Sequence, residues 1–252
     1  MENLDSHPRQ TSFTAVVAGA TGATGRWIVC ELVNNPSCTA VIALTRSDIG
    51  SPGEVFPSAD AEFMKSKLII QKIDFNLLKQ TGEFSESSKP QPQVAFCALG
   101  SAPFSEDSDF ITPVAFGRAC KAAGVESMFL VSAQGAKPGS WIPYSDTIGR
   151  REEAFKALNF RRLGIYRSGM MDRQEKTRTN EWIRHILPSC LVLSTKDIAR
   201  VMVESAIRMK DGVFIFSHSE IKKIAASFHN APITNLITAL VRYGIFRLFS
   251  QY

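Results

Sequence analysis

The sequence predicts an α/β protein, a doubly wound parallel sheet in a single domain that carries a C-terminal helical tail. Three observations predict it. Seven short runs, each four to seven residues long, are apolar and mostly rich in β-branched side chains, as strands are. Stretches with helical spacing lie between several of them. The runs are nearly continuous in apolar character rather than alternating, which suits a parallel sheet covered on both faces.

The elements follow in order. Phe13–Gly19 (FTAVVAG) is a buried strand, and Arg26–Val33 after a glycine-rich turn is helical. Ala40–Arg46 (AVIALTR) is the second strand, and Ile49–Pro57, with two prolines and two glycines, reads as a loop. Leu68–Asp74 (LIIQKID) is the third strand, and the Ser/Pro/Glu-rich Thr81–Pro92 is another loop. Gln93–Leu99 (QVAFCAL) is the fourth. A helix within Phe110–Ala123 ends at Gly124. Ser127–Ser132 (SMFLVS) is the fifth strand, Tyr144–Leu158 a helix, and Arg162–Arg167 (RLGIYR) the sixth strand. Asp197–Met209 is amphipathic, with Asp197 placed as a cap or first-turn acid. Val213–Phe216 is the last strand. Residues 1–12 read as a disordered lead-in, 13–224 as the domain and 225–252 as the tail.

A chain of 252 residues, 44% hydrophobic and 21% charged, can bury one sizeable core, which excludes general disorder. No run approaches the ~20 apolar residues of a membrane-spanning helix. The formal charge of +5 favours anions mildly. The basic residues form only pairs (Arg150-Arg151, Arg161-Arg162, Lys222-Lys223), which read as solvated surface, so nucleic acid is not expected as a partner. Five cysteines, an odd number without a CxxC pair, argue against a disulfide framework or a zinc site. Cys97 and Cys120 read as small core residues. The four histidines are scattered, so no metal is expected. The polar, acid-bearing N-terminus resembles neither a secretory signal nor a typical presequence. A reduced, cytoplasmic setting is expected, with the mitochondrion as the alternative.

The strongest chemical signal is Gly19-Ala20-Thr21-Gly22-Ala23-Thr24-Gly25, directly after the first strand and at the start of a helix. Its spacing is GxxGxxG. Gly19 permits the turn, Gly22 lets backbone approach a pyrophosphate, and Gly25 allows close helix–strand packing. The helix N-terminus offers free N–H groups and partial positive charge to the anion. Strand, turn and helix together point to a Rossmann-like dinucleotide site in which Gly19, Thr21, Gly22, Ala23, Thr24 and Gly25 bind the cofactor. An NAD site carries an acid at the end of strand two to accept from the ribose 2′-OH. Here that strand ends in Arg46, and Asp48 follows two residues on. A guanidinium there suits a 2′-phosphate, with Arg26 as a helper, so NADP(H) is the expected cofactor. Asp74 and Phe75, after strand three, are placed to contact the adenine. Leu99 and Gly100, after strand four, are placed beside the cofactor ribose.

These pieces resemble the short-chain dehydrogenase/reductase superfamily, and in it the atypical branch of Tat-interacting, oxidoreductase-like proteins. The matching stretches are AGATGATGR (Ala18–Arg26), Arg46, FCALG (Phe96–Gly100), LVSAQGA (Leu130–Ala136), Tyr144, EEAFKALNF (Glu152–Phe160), YRSG (Tyr166–Gly169) and DRQE followed by EW (Asp172–Glu175, Glu181-Trp182). They span roughly residues 13 to 210. The resemblance implies NADP(H) binding, a reductase-type activity, and for several relatives a regulatory binding role. It also implies a catalytic Ser132 and Tyr144.

The family pairs its tyrosine with a lysine four residues on, one helical turn away, whose charge favours tyrosinate. Position 148 is isoleucine. Arg151 lies seven residues after Tyr144, ~10 Å along the helix axis, too far to replace that ammonium simply. Ser132-Ala133 replaces two adjacent hydroxyl residues, and Ser168 replaces the proline usual after strand six. The sequence therefore supports two readings: a weak oxidoreductase on a small carbonyl compound, or a catalytically degenerate scaffold or complex subunit that keeps NADP(H) structurally. A third reading is a redox sensor whose partner affinity depends on NADPH. Trp141 and Trp182 read as core aromatics, with a pocket wall as the alternative. In the tail, Ile233, Leu236, Ile237, Leu240 and Val241 recur at helical spacing. A partner-docking segment, a membrane-surface helix and a segment closing the core all fit that pattern.

Overall fold

The computed structural model describes residues 12–84, 90–101, 103–173 and 192–230. Its first strand, β1 (Phe13–Ala18), is buried at all six positions. It pairs in parallel on one side with β2 (Cys38–Thr45) and on the other with β4 (Val94–Cys97). The full order is β3-β2-β1-β4-β5-β6-β9, with β3 Leu68–Lys72, β5 Ser127–Ala133, β6 Arg162–Ser168 and β9 Gly212–Phe216. Every pairing in this sheet is parallel. All seven expected strands are present. Strand order reverses between β1 and β4, the point at which such sheets bind ligands at their carboxyl ends.

Alternation along β1 sorts its side chains to two covered faces. Phe13, Ala15 and Val17 pack with α1 (Gly25–Asn34), α7 (Thr195–Arg208) and α8 (His218–Asn230). Val16 and Ala18 face α4 (Phe75–Thr81), α5 (Thr112–Ala122) and α6 (Pro143–Ala157). Cys97 and Cys120 are wholly buried in that second layer. A separate parallel pair, β7 (Met170–Asp172) and β8 (Val192–Ser194), sits beyond β6.

Several local readings change. The Ile49–Pro57 loop contains a single helical turn, α2 (Pro52–Val55), begun by the proline at its first position. Two seven-residue helices, α3 (Ala61–Lys67) and α4, are too short for periodicity to reveal, yet each has an aspartate cap. Asp60 Oδ1 accepts from the amides of Glu62 and Phe63 at 2.9 and 3.0 Å. Helix α7 is capped by Ser194, which leaves Asp197 as its first-turn acid. Two of the three basic pairs are not solvated surface, because neighbouring residues on a helix or strand point to different faces. Arg151 and Arg162 are buried while Arg161 is exposed and Arg150 half-buried. Arg162, the first residue of β6, donates to Ser127 Oγ (2.8 Å) and the Ala206 carbonyl (2.9 Å). Trp141 is not a core aromatic: it is 90% exposed. Helix α8 runs unbroken through residue 225, with Ile221, Ile224, Ala225 and Phe228 in the core, so the boundary drawn there falls inside a helix. The apolar pattern from Ile233 onward, Trp182 and most of the Asp172–Trp182 motif lie outside the described residues.

Candidate functional site: a dinucleotide-type cleft and a reshaped β5–α6 corner

The glycine loop has the shape its spacing predicts. Gly19 turns the chain with φ at +78°, a region favouring glycine, and a Cβ there would stand 2.6 Å from the Ala98 carbonyl oxygen. A Cβ on Gly25 would stand 2.0 Å from the Gly19 carbonyl oxygen, so helix α1 can approach β1 only through glycine. The Gly22 amide closes the turn onto Gly19 O at 2.9 Å. Thr24, at the cap position, makes no side-chain cap to the first turn of α1. The amides of Arg26, Trp27 and Ile28 bond instead to the backbone carbonyls of Gly22 (3.2 Å) and Thr24 (3.0 and 3.1 Å).

A cleft of about 590 Å³ opens over the ends of β1, β2, β3 and β4. Gly19, Thr21, Gly22, Arg46, Asp74, Phe75, Leu99 and Gly100 line it. Ala23, Thr24 and Gly25 do not line it; they stand behind it, with Thr24 and Gly25 buried. Asp74 caps α4 through Oδ1, accepting from Asn76 N at 2.8 Å and Leu77 N at 3.4 Å. The wall also includes Thr45, Lys72, Asn76, Lys79, Ser101 and Asp107. Ser101 continues the Leu99-Gly100 stretch placed there from the sequence, whereas the other five were missed because each belongs to the wall only through the packing of separate elements.

A side pocket of about 380 Å³ adjoins this cleft and shares Thr21, Thr45 and Arg46 with it. Arg26 also lines it, with its guanidinium 5.2 Å from the Trp27 ring centre, and Glu54 adds one acid. The exposed Arg46 has no hydrogen bond or ion pair within the chain among the described residues. The Thr45 hydroxyl is buried and has no hydrogen-bond partner there. Asp48, the carboxylate nearest the end of β2, is paired with Lys72 at 2.8 Å, and the Lys72 ammonium holds its carboxyl below the ordinary value.

The β5–α6 corner differs. Ser132 and Tyr144 both stand outside the residues lining the cleft. Tyr144, in the first turn of α6, is 44% exposed and meets the Phe104 ring edge-on at 5.6 Å. One turn on, Ile148 is 1% exposed and packed where the family's lysine would stand. Arg150 donates to Asp146 one turn back on α6 and to Glu106, which precedes α5, at 2.8 Å each. The Gly139 amide and Arg150 hold the Asp146 carboxyl below its ordinary value. Arg151 turns inward and ties three strand and loop ends together through the carbonyls of Leu99 (3.4 Å), Asp109 (3.2 Å) and Val131 (2.8 Å). Ser132 Oγ donates to Glu152 Oε1 at 2.5 Å, and Glu152, 1% exposed, is gripped by Arg167. Among the described residues no cluster of three His, Cys, Asp or Glu could hold a metal.

No protein-family model matches the chain. Among curated proteins it is 27% identical over 177 residues to the mitochondrial protein FMP52 of Coccidioides immitis, covering 66% of this chain and 68% of that one. It is 25% identical over 177 residues to HTATIP2 of Rattus norvegicus, covering 66% of each. The chain is a homologue of FMP52 and HTATIP2. That likeness supports the resemblance to the atypical short-chain dehydrogenase/reductases that its motifs carry. Solved structures agree on the fold. An NAD-dependent epimerase/dehydratase from Bacillus halodurans superposes with a TM-score of 0.57 at 17% identity, over 86% of this chain and all of that one. MoeE5 in complex with UDP-glucuronic acid and NAD superposes at 0.58 with 16% identity, over 86% and 82%. In this HTATIP2-like chain the backbone of the glycine turn conforms to the fold, whereas the side chains at the β5–α6 corner depart from the superfamily pattern.

Proposed function

We propose that the protein binds NADP(H) in the cleft above β1–β4 and acts at most as an attenuated oxidoreductase on a small carbonyl compound. The observation that carries the cofactor choice is Arg46, a guanidinium without a partner among the described residues, beside the buried, unpartnered hydroxyl of Thr45. A 2′-phosphate supplies acceptors for both. The turn also fits the group, since Gly19 and Gly22 line the cleft without a Cβ and Gly25 lets helix α1 pack close against the turn. When bound in its reduced form, the cofactor supplies a hydride. The chain's own part is the proton, held on the Tyr144 hydroxyl for a substrate oxygen.

Ile148 and the engagement of Ser132 by Glu152 favour a second reading, a degenerate scaffold or subunit retaining NADP(H) structurally. The FMP52 relative is named mitochondrial, which supports that compartment over the cytoplasm. Imaging of a tagged full chain tests it.

Calorimetric titration tests the cofactor. NADPH should bind at least about tenfold more tightly than NADH, the scale of a charge-assisted hydrogen bond; equal affinities, or none, would overturn the proposal. Turnover of NADPH against carbonyl compounds, with Tyr144→Phe as control, separates the two readings.

A further inference from the structure

We propose that the Glu152–Arg167 pair commits the Ser132 hydroxyl proton inward. Ser132 then meets any ligand as a hydrogen-bond acceptor and favours a group carrying O–H or N–H over a bare carbonyl oxygen. The inference rests on the oxidoreductase reading, with Ser132 in the catalytic place that the family resemblance implies.

Three elements converge on this point. Ser132 and Arg167 are register partners on β5 and β6. Glu152 descends from α6 on the face it shares with Ile148 and Phe155, at helical spacing. Arg167 takes the carboxylate as a fork, with Nε to Oε1 at 2.9 Å and Nη2 to Oε2 at 2.5 Å. That hydrogen-bonded carboxylate raises the pKa of Arg167 above its ordinary value. A carboxylate in a guanidinium fork has only acceptor atoms, so the proton in the 2.5 Å contact with Ser132 belongs to the serine. The strand beneath is fixed too, because Ser168 Oγ donates to the Ser132 carbonyl at 3.1 Å.

A serine hydroxyl has one proton and two lone pairs. With its proton given to Glu152, Ser132 offers a ligand lone pairs alone. A substrate carbonyl oxygen would meet them as like against like, whereas an alcohol or amide N–H would be received. Ile148 reinforces this. An ammonium there would stand one turn from Glu152 and compete with Arg167 for it; isoleucine leaves the fork undisturbed.

Proton NMR of the intact protein gives the first test. A short charge-assisted O–H···O⁻ bond should produce a protected signal far downfield of the amides. It should persist in Tyr144→Phe and vanish in Ser132→Ala. A wild type without that signal overturns the proposal. The second test uses NADPH-loaded protein with benzyl alcohol and benzaldehyde as probes. Wild type should favour the alcohol. Replacing both charges together, Glu152→Met with Arg167→Met, strands neither ion and frees the Ser132 proton. The preference should then move toward the aldehyde by about fivefold, the scale of one neutral hydrogen bond. Adding Ser132→Ala should cancel that move. An unchanged preference in the folded double variant overturns the ligand selectivity. Failure of NADPH to bind counts separately against the cofactor reading and leaves the NMR signal as the arbiter of the serine's orientation.

Discussion

The two halves of the sheet edge have diverged differently. On the β1–β4 side the site is built of backbone: a turn, a helix end and the places where glycines leave room. On the β5–α6 side a superfamily site would be built of side chains, and there the lysine position is Ile148, the serine is engaged by Glu152, and Arg151 holds carbonyls. Backbone geometry survives substitution anywhere except at the glycines, whereas a site of side chains can be lost one residue at a time. The first half should therefore fail sharply at a few positions, and the second should change chemistry while remaining folded.

The largest effect belongs to Gly25→Ala. The added methyl would occupy space 2.0 Å from the Gly19 carbonyl oxygen, and that atom is backbone that cannot rotate away. A loss of more than about 3 kcal/mol in urea denaturation is expected, at the upper end of overpacking penalties. A near-neutral result would mean the turn is not the rigid half.

Next is Ile148→Lys, which restores the superfamily residue. Ile148 is 1% exposed, so the new ammonium starts out buried. About 2 kcal/mol should be lost at pH 7. Burial lowers a lysine's folded pKa, so the penalty is full below that value and disappears only as pH rises above the unfolded value of about 10.4, where both states are neutral. Stability curves of variant and wild type against pH test the sign. A variant as stable as wild type at pH 7 would show that the second half still accommodates the lysine.

Arg46→Ala sharpens the comparison at its one side-chain-dependent point in the first half. NADPH affinity should fall about 10- to 100-fold while NADH affinity stays level, because only the phosphate loses its partner. An equal fall for both coenzymes would move Arg46 from selecting the ribose to holding the loop. Parallel calorimetric titrations read this directly.

The same division explains what was legible in the sequence. The seven strands, the glycine turn and Arg46 are local signals: apolar runs, spacing, a residue at a strand end. The doubly wound fold followed from the parallel pattern, whereas the order of the strands is seen only in the sheet itself. Helices α3 and α4 escaped because seven residues make only two turns, although Asp60 and Asp74 signalled their caps. The loss of the lysine was plain at Ile148. What replaced it was not, because Glu152 reaches Ser132 across 20 residues of chain and Arg151 reaches Leu99 across 52. Arg151 and Arg162 look like surface charges in a row of letters. Only the packing of helix on sheet turns them inward. Trp141, an aromatic expected inside, stays exposed on the loop leading into α6.

The smallest effect comes from the seam between the halves. Cys97 pairs across β4 with Ala18 of β1 and Leu130 of β5, and it is wholly buried. Burial pushes its thiol from 9.0 up to about 11, against the opposing pull of the Arg151 charge and the Leu99 amide. The folded state thus favours the neutral thiol. Its contribution is intact below the unfolded value near 9 and is lost as pH rises through about 11. At pH 10 the part lost is about 1 kcal/mol. Cys97→Val removes this titration. The wild-type stability curve should therefore fall toward that of the variant by about this amount between pH 8 and pH 10, a difference that chemical denaturation at matched pH resolves. Arg151→Met should move the window to higher pH, because the cation that stabilises the thiolate is gone. Parallel curves for wild type and Cys97→Val would mean that water reaches the seam, and the two halves would then be less firmly joined than the shared strand implies.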